Sequence, residues 1–124
     1  MVRSVLVVDD QASNLGGLSR VLTLLGFETS TARNGVEALA ALRARGVDLV
    51  LLDISMPVMG GLETLTTIRA DPQLRSLPVF MVSGNDDDVQ VRRCRELGAT
   101  GFLAKPFTFD ELERTLRALD EAAE

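Results

Sequence analysis

The stretch LVLLDISMP, Leu49–Pro57, runs four apolar residues straight into a carboxylate, Asp53, and Gly60 and Gly61 follow soon after. A run that apolar reads as a strand buried on both faces, the habit of a parallel sheet covered by helices. Asp53 then stands where a buried strand reaches solvent. In an open α/β sheet, ligands sit at that edge, outside the carboxyl ends of the strands.

Working outward, strand-like and helix-like patterns alternate five times. Val5–Val8 is apolar and ends in Asp9 and Asp10; Leu15, Leu18, Leu22 and Leu25 then recur at helical spacing and Gly26 closes them. Residues 27–32 read as an edge strand. Val36, Leu39 and Leu42 mark a second helix, with Asn34 as N-cap and Gly46 past its end. After the Leu49–Leu52 strand, Leu62, Leu65 and Ile68 carry a third helix that Pro72 ends. Residues 78–82 form the fourth strand and 86–97 a fourth helix with a thin apolar stripe of Val89, Val91, Cys94 and Leu97. Residues 100–104 form the fifth strand; Phe109, Leu112, Leu116 and Leu119 line the last helix. Five βα units predict an α/β fold, a doubly wound parallel sheet, with right-handed crossovers. The 124 residues suit one domain spanning 1–124, with any further domain outside this chain.

Composition narrows the function. The net charge is −5, with five Phe and no other aromatic, so nucleic-acid binding by this domain is not expected. The longest apolar run, residues 77–82, is far too short for a membrane span. The single Cys94 makes no internal disulfide, and a reducing cytoplasm is the default; its expected role is packing. The absence of histidine removes imidazole acid–base catalysis and Ser-His or Cys-His pairs. It also means that this chain cannot supply a phosphohistidine itself.

At the strand ends the chain places Asp9 and Asp10, then Asp53, Ser83, and Lys105 before Pro106. If the first and third strands are neighbours, three carboxylates converge. Two carboxylates about 4 Å apart repel by roughly 4 kcal/mol at an effective dielectric near 20. Lys105 offsets part of that repulsion. Oxygen-only ligands suit a hard divalent ion, Mg²⁺ first and Mn²⁺ next. A carboxylate there can attack phosphorus, with cations neutralising the phosphoryl oxygens. Bland readings stand beside these: Asp10 as an N-cap, Asp86–Asp88 as helix-start electrostatics, and Arg92, Arg93 and Arg95 as a solvated face. Truncating Lys105 opens no core cavity, so little change in stability, or a gain, is expected.

VLVVDD, LLDISMPVMGG, the Ser83–Gly84 pair after VFMV, and GFLAKPF follow one another in order, each at a strand end. Together they resemble the receiver domain of response regulators in two-component, histidine–aspartate phosphorelay signalling. The resemblance implies a flavodoxin-like (βα)5 fold with strand order 2-1-3-4-5. It implies Asp53 as phosphoacceptor, Asp10 and Asp53 as direct Mg²⁺ ligands with the Ser55 carbonyl, and Asp9 reaching the metal through water. Ser83 and Lys105 match the hydroxyl and the phosphate-binding lysine. Phe102 sits at the switch aromatic position, though an aromatic there also reads as plain core. Pro106 resembles the proline that follows a cis peptide. Gly84 stands where Ala is frequent, and Ser55 and Asn85 occupy positions that tune autodephosphorylation. The implied activity is phosphoryl uptake from a histidine kinase or phosphotransfer protein, with slow self-dephosphorylation and no other enzymatic turnover. Output would pass to a downstream partner through the fourth-helix, fifth-strand and last-helix face, with a phosphorylation-dependent dimer as one form. Three alternatives compete. A haloacid-dehalogenase-like phosphatase wants a second Asp where Ser55 stands. A nucleotide-binding domain lacks GxGxxG and GxxxxGK[ST] here. A pseudo-receiver would not keep the full set of acids, hydroxyl and lysine.

Overall fold

The computed structural model describes residues 2–123, and side chains over 2–119. Its elements alternate from end to end: β1 (Ser4–Val8), α1 (Ala12–Leu24), β2 (Glu28–Ala32), α2 (Gly35–Ala44), β3 (Leu49–Asp53), α3 (Gly61–Ala70), β4 (Val79–Ser83), α4 (Asp88–Glu96), β5 (Gly101–Ala104) and α5 (Phe109–Ala123). All strand pairs are parallel, in the order β2-β1-β3-β4-β5. This is the doubly wound, flavodoxin-like arrangement expected. Strand order reverses between β1 and β3.

Both faces of the central sheet are buried, because β1, β3 and β4 alternate between two apolar cores, whereas the edge strand β2 contributes only Ala32. Leu6, Val8, Val50, Leu52, Val79 and Met81 face one core, which takes Ala38, Leu39 and Leu42 of α2, Leu65 and Ile68 of α3, and Cys94 of α4. Val5, Val7, Leu49, Leu51, Val82 and Leu103 face the other, with Leu15 and Leu22 of α1 and Leu112 and Leu116 of α5. Each fully buried Leu contributes about 1.5–3 kcal/mol by leaving water. Cys94 is a packing residue of the first core, and burial pushes its thiol pKa up.

Helix ends depart from expectation in three places. Asp10 does not cap α1; Gln11 is the N-cap, without a side-chain cap bond, and its own N–H donates to Asp9 at 2.9 Å. The α4 stripe excludes Val89, which is 75% exposed; Asp87 caps the helix through the Gln90 N–H, so Val89 falls in the solvent-facing first turn. Phe109, the first residue of α5, is likewise exposed. Met1 and Glu124, the ends of the expected domain span, lie outside the described residues.

One loop carboxylate ties down the start of the sheet. Asp48 accepts from the Arg3 N–H at 2.8 Å and the Ser4 N–H at 3.1 Å, and these contacts, led by Arg3, hold its pKa below the usual 3.8. A depressed folded pKa means stabilisation that is present above pH 3.8 and lost as pH falls through the folded value. Asp48→Ala is therefore expected to cost about 1 kcal/mol at neutral pH, the net worth of such bonds at a half-exposed site. The gap to wild type should close in acid. Urea midpoints on both sides of pH 3.8 check this.

Candidate functional site

The register sets the site. Val8 pairs with Leu52, so the next residues, Asp9 and Asp53, emerge side by side from β1 and β3 at the point where strand order reverses. By alternation both follow residues of the first core and project on the α1/α5 side of the sheet. Asp9 is 5% exposed and Asp53 8%, while Asp10 is on the surface. Carboxylate oxygens of Asp9, Asp10 and Asp53 lie within 4.8 Å of one another, the one such cluster among the described residues. The Asp86–Asp88 run forms none.

Lys105 reaches the cluster from the β5 edge of the sheet. It follows β5, its N–H donates to the Ser83 carbonyl at 2.8 Å, and the Lys105–Pro106 peptide is cis. Its Nζ lies 3.1 Å from Asp9 Oδ2 and 3.5 Å from Asp53 Oδ2. The stability expectation for Lys105 therefore changes: although truncation opens no cavity, it would strip the charge partner from two buried carboxylates. Burial pushes the Asp53 pKa up; Lys105 opposes this and the Asp9 carboxylate adds to it. The remaining Asp53 oxygen, Oδ1, accepts from the Ser55 N–H at 3.3 Å. Ser83 is buried at the end of β4, its Oγ accepting from the Asn85 N–H at 3.0 Å. Phe102 is half-buried against the first core.

Several supports escape a linear reading. The Asn14 side chain on α1 donates to Asp9 Oδ2 at 3.2 Å, which holds the Asp9 carboxylate from the helix side. Gly61 opens α3 directly against β3, where a Cβ would overlap the Asp53 carbonyl oxygen and Ile54 Cα. Val58, 82% exposed, holds φ 68° in the loop between, a costly backbone region for a β-branched residue. Such outliers gather near functional sites. A cleft of about 550 Å³ runs from Asp9, Asp53 and Lys105 down to Gly17, Leu18 and Phe107. The donor set, three carboxylates with one ammonium, has an excess of negative charge and only oxygen ligands, so it could hold a hard divalent cation.

Residues 5–117 match the family model described as the response regulator receiver domain. The chain belongs to that family.

Its relatives agree. The DNA-binding response regulator MtrA of Mycolicibacterium paratuberculosis is 39% identical over 118 residues, covering 95% of this chain and 51% of that protein; MtrA of Mycobacterium leprae matches equally. The receiver chain thus spans about half the length of the curated relatives it matches. Among solved structures, the Vibrio cholerae chemotaxis protein CheY4 superposes with a TM-score of 0.89 at 34% identity, covering 95% of this chain and 98% of that one. The signal receiver domain of a histidine kinase from Syntrophus aciditrophicus gives 0.90 at 30% identity, covering 98% and 92%. No helix among the described residues is long and apolar enough to cross a membrane.

Proposed function

We propose that this receiver domain takes a phosphoryl group onto Asp53 from the phosphohistidine of a histidine kinase or phosphotransfer protein and thereby switches its surface. The observation that carries this is the convergence of the Asp9, Asp10 and Asp53 oxygens with Lys105 Nζ upon Asp53. The Asp53 carboxylate attacks phosphorus; the P–N bond to the donor imidazole breaks as the P–O bond forms, and the imidazole leaves with its electron pair. Lys105 neutralises charge on the phosphoryl oxygens, and the Ser83 hydroxyl turns toward the phosphoryl group. Asp9, Asp10, Asp53 and the Ser55 carbonyl would hold Mg²⁺, or Mn²⁺, which supplies further neutralisation of the transferring oxygens. Asn14 and the Gln11 N–H keep Asp9 in place. Self-dephosphorylation is slow, with Ser55 and Asn85 flanking the site.

Movement of Ser83 draws on the loop that leads into α4, and Phe102 on β5 swings with it, so the α4–β5–α5 face reports the phosphorylated state to a downstream partner or a second copy. The domain works in the cytoplasm, without contacting nucleic acid or membrane. Incubation with acetyl phosphate should add one phosphoryl mass to the intact protein only when Mg²⁺ is present. Asp10→Ala should weaken Mg²⁺ binding by about tenfold or more, followed by amide shifts at the strand ends. Labelling in EDTA, or unchanged Mg²⁺ affinity in Asp10→Ala, would count against the site as described.

A further inference from the structure

We propose that Arg69 anchors the C-terminal end of α4, so that phosphorylation pivots this helix about residues 97–99 and displaces its Ser83 end. The pivot rests on the phosphoacceptor reading above; the anchor does not.

Arg69 lies in the last turn of α3, and its guanidinium satisfies three main-chain carbonyls from two loops. Its Nε donates to the Gly98 carbonyl at 2.8 Å, and its Nη1 donates to those of Arg75 at 3.0 Å and Leu77 at 2.7 Å. One planar fork thus joins α3, the α3–β4 turn and the residue just past α4. A cation at that point also complements the negative ends of both helices. Burial lowers the Arg69 pKa from its ordinary value, as for a group withdrawn from water.

The receiving end is shaped for this contact. Gly98 has φ +100°, its N–H donates to the Arg95 carbonyl, and the Ala99 N–H donates to that of Cys94, the paired bonds that close a helix on a left-handed residue. A Cβ at Gly98 would stand 3.1–3.2 Å from Arg69 Cγ, Cδ and Nε. The positive φ favours glycine there, and a Cβ would also crowd the arginine stem.

The two ends of α4 are held very unequally. Cys94 is buried, and Leu97 and Ala99 pack against the same core. At the other end Asp86, Asp87, Asp88 and Val89 are all exposed, and capping is local, by Asp87 on the Gln90 N–H. Among the described residues, the hydrogen bonds of residues 86–89 stay within the loop from Ser83 and the helix itself. A pull on Ser83 therefore meets a helix fixed at its far end, and the low-burial end moves.

Amide hydrogen exchange on the whole chain tests both parts. In Arg69→Gln, the amides of Leu97, Gly98 and Ala99 should exchange about tenfold faster or more, while those of Leu6 and Val50 stay within about twofold of wild type. Unchanged rates at residues 97–99 overturn the anchor. The second measurement needs no variant. In wild type with beryllofluoride and Mg²⁺, exchange and shift changes in α4 should be largest near Asp88–Gln90 and fade toward Ala99. A response largest at 97–99, or none in α4 while acetyl phosphate still labels Asp53, overturns the pivot and spares the phosphoacceptor reading. Absent labelling removes that reading and the pivot with it, and leaves the anchor to the Arg69→Gln rates.

Discussion

Asp53→Asn is expected to lower phosphoryl uptake from acetyl phosphate on the order of a thousandfold, because the amide oxygen is a far weaker nucleophile than the carboxylate it replaces. The fold should gain stability at the same time. Burial raises the folded pKa of Asp53 above the usual 3.8, so the folded state binds the proton more tightly than the unfolded chain does. Stability then falls as pH rises from 3.8 through the folded pKa, and the ionised carboxylate is a net cost at neutral pH. Asn removes that cost and the repulsion from Asp9. In metal-free buffer at neutral pH the Asn variant should melt above wild type, and the difference should vanish in acid. Intact mass and thermal melts read the two effects separately. Full labelling of Asp53→Asn would move the phosphoacceptor elsewhere, and a lower melting point would mean that Asp53 stabilises the fold.

Lys105→Ala is expected to do the opposite to stability. Its ammonium faces Asp9 and Asp53, whose side chains are 7% and 11% exposed. Removing one partner of a buried ion pair strands the other charge. With Lys105 partly open to solvent, the loss should be about 1–3 kcal/mol, or roughly 4–12 °C in a domain of this size. Added Mg²⁺ should restore much of the loss, since a divalent ion in the carboxylate cluster replaces the missing positive charge. Uptake of phosphoryl groups should fall as well, because a charge that neutralises the transferring oxygens is gone. Melts with EDTA and with excess Mg²⁺ decide this. A variant as stable as wild type in EDTA would show that the carboxylates do not need the lysine.

Much of this was legible in the chain itself. Five strand-like stretches, most of them apolar, each followed by a helical period, specify βα units, because side-chain period distinguishes a strand from a helix. Runs buried on both faces require helices on both sides of the sheet. Asp9, Asp10, Asp53, Ser83 and Lys105 could be named because each abuts an apolar run and marks where a strand ends. What escaped was whatever depends on contacts distant in sequence. Nothing in the spacing of Asn14 says that its amide meets Asp9. Nor does anything local say that Arg69 meets the Gly98 carbonyl, 29 residues on. Val89 was misread because it stands five residues before the buried Cys94, which puts it about 140° around the helix from the buried face.

Sequence by itself determined the order of elements, the two-sided burial of the sheet and the identities of the acids, hydroxyl and lysine at the strand ends, all of which are set by local pattern. Local pattern left open whether β1 lies beside β3; the family resemblance implied it, and only the tertiary structure decided the register that aligns Val8 with Leu52. It alone brought the ammonium of Lys105 to both Asp9 and Asp53, and pinned α4 at one end. Such arrangements depend on which strands pair and in what register, and on the sum of many packing contacts, none of which is encoded in any one stretch of residues.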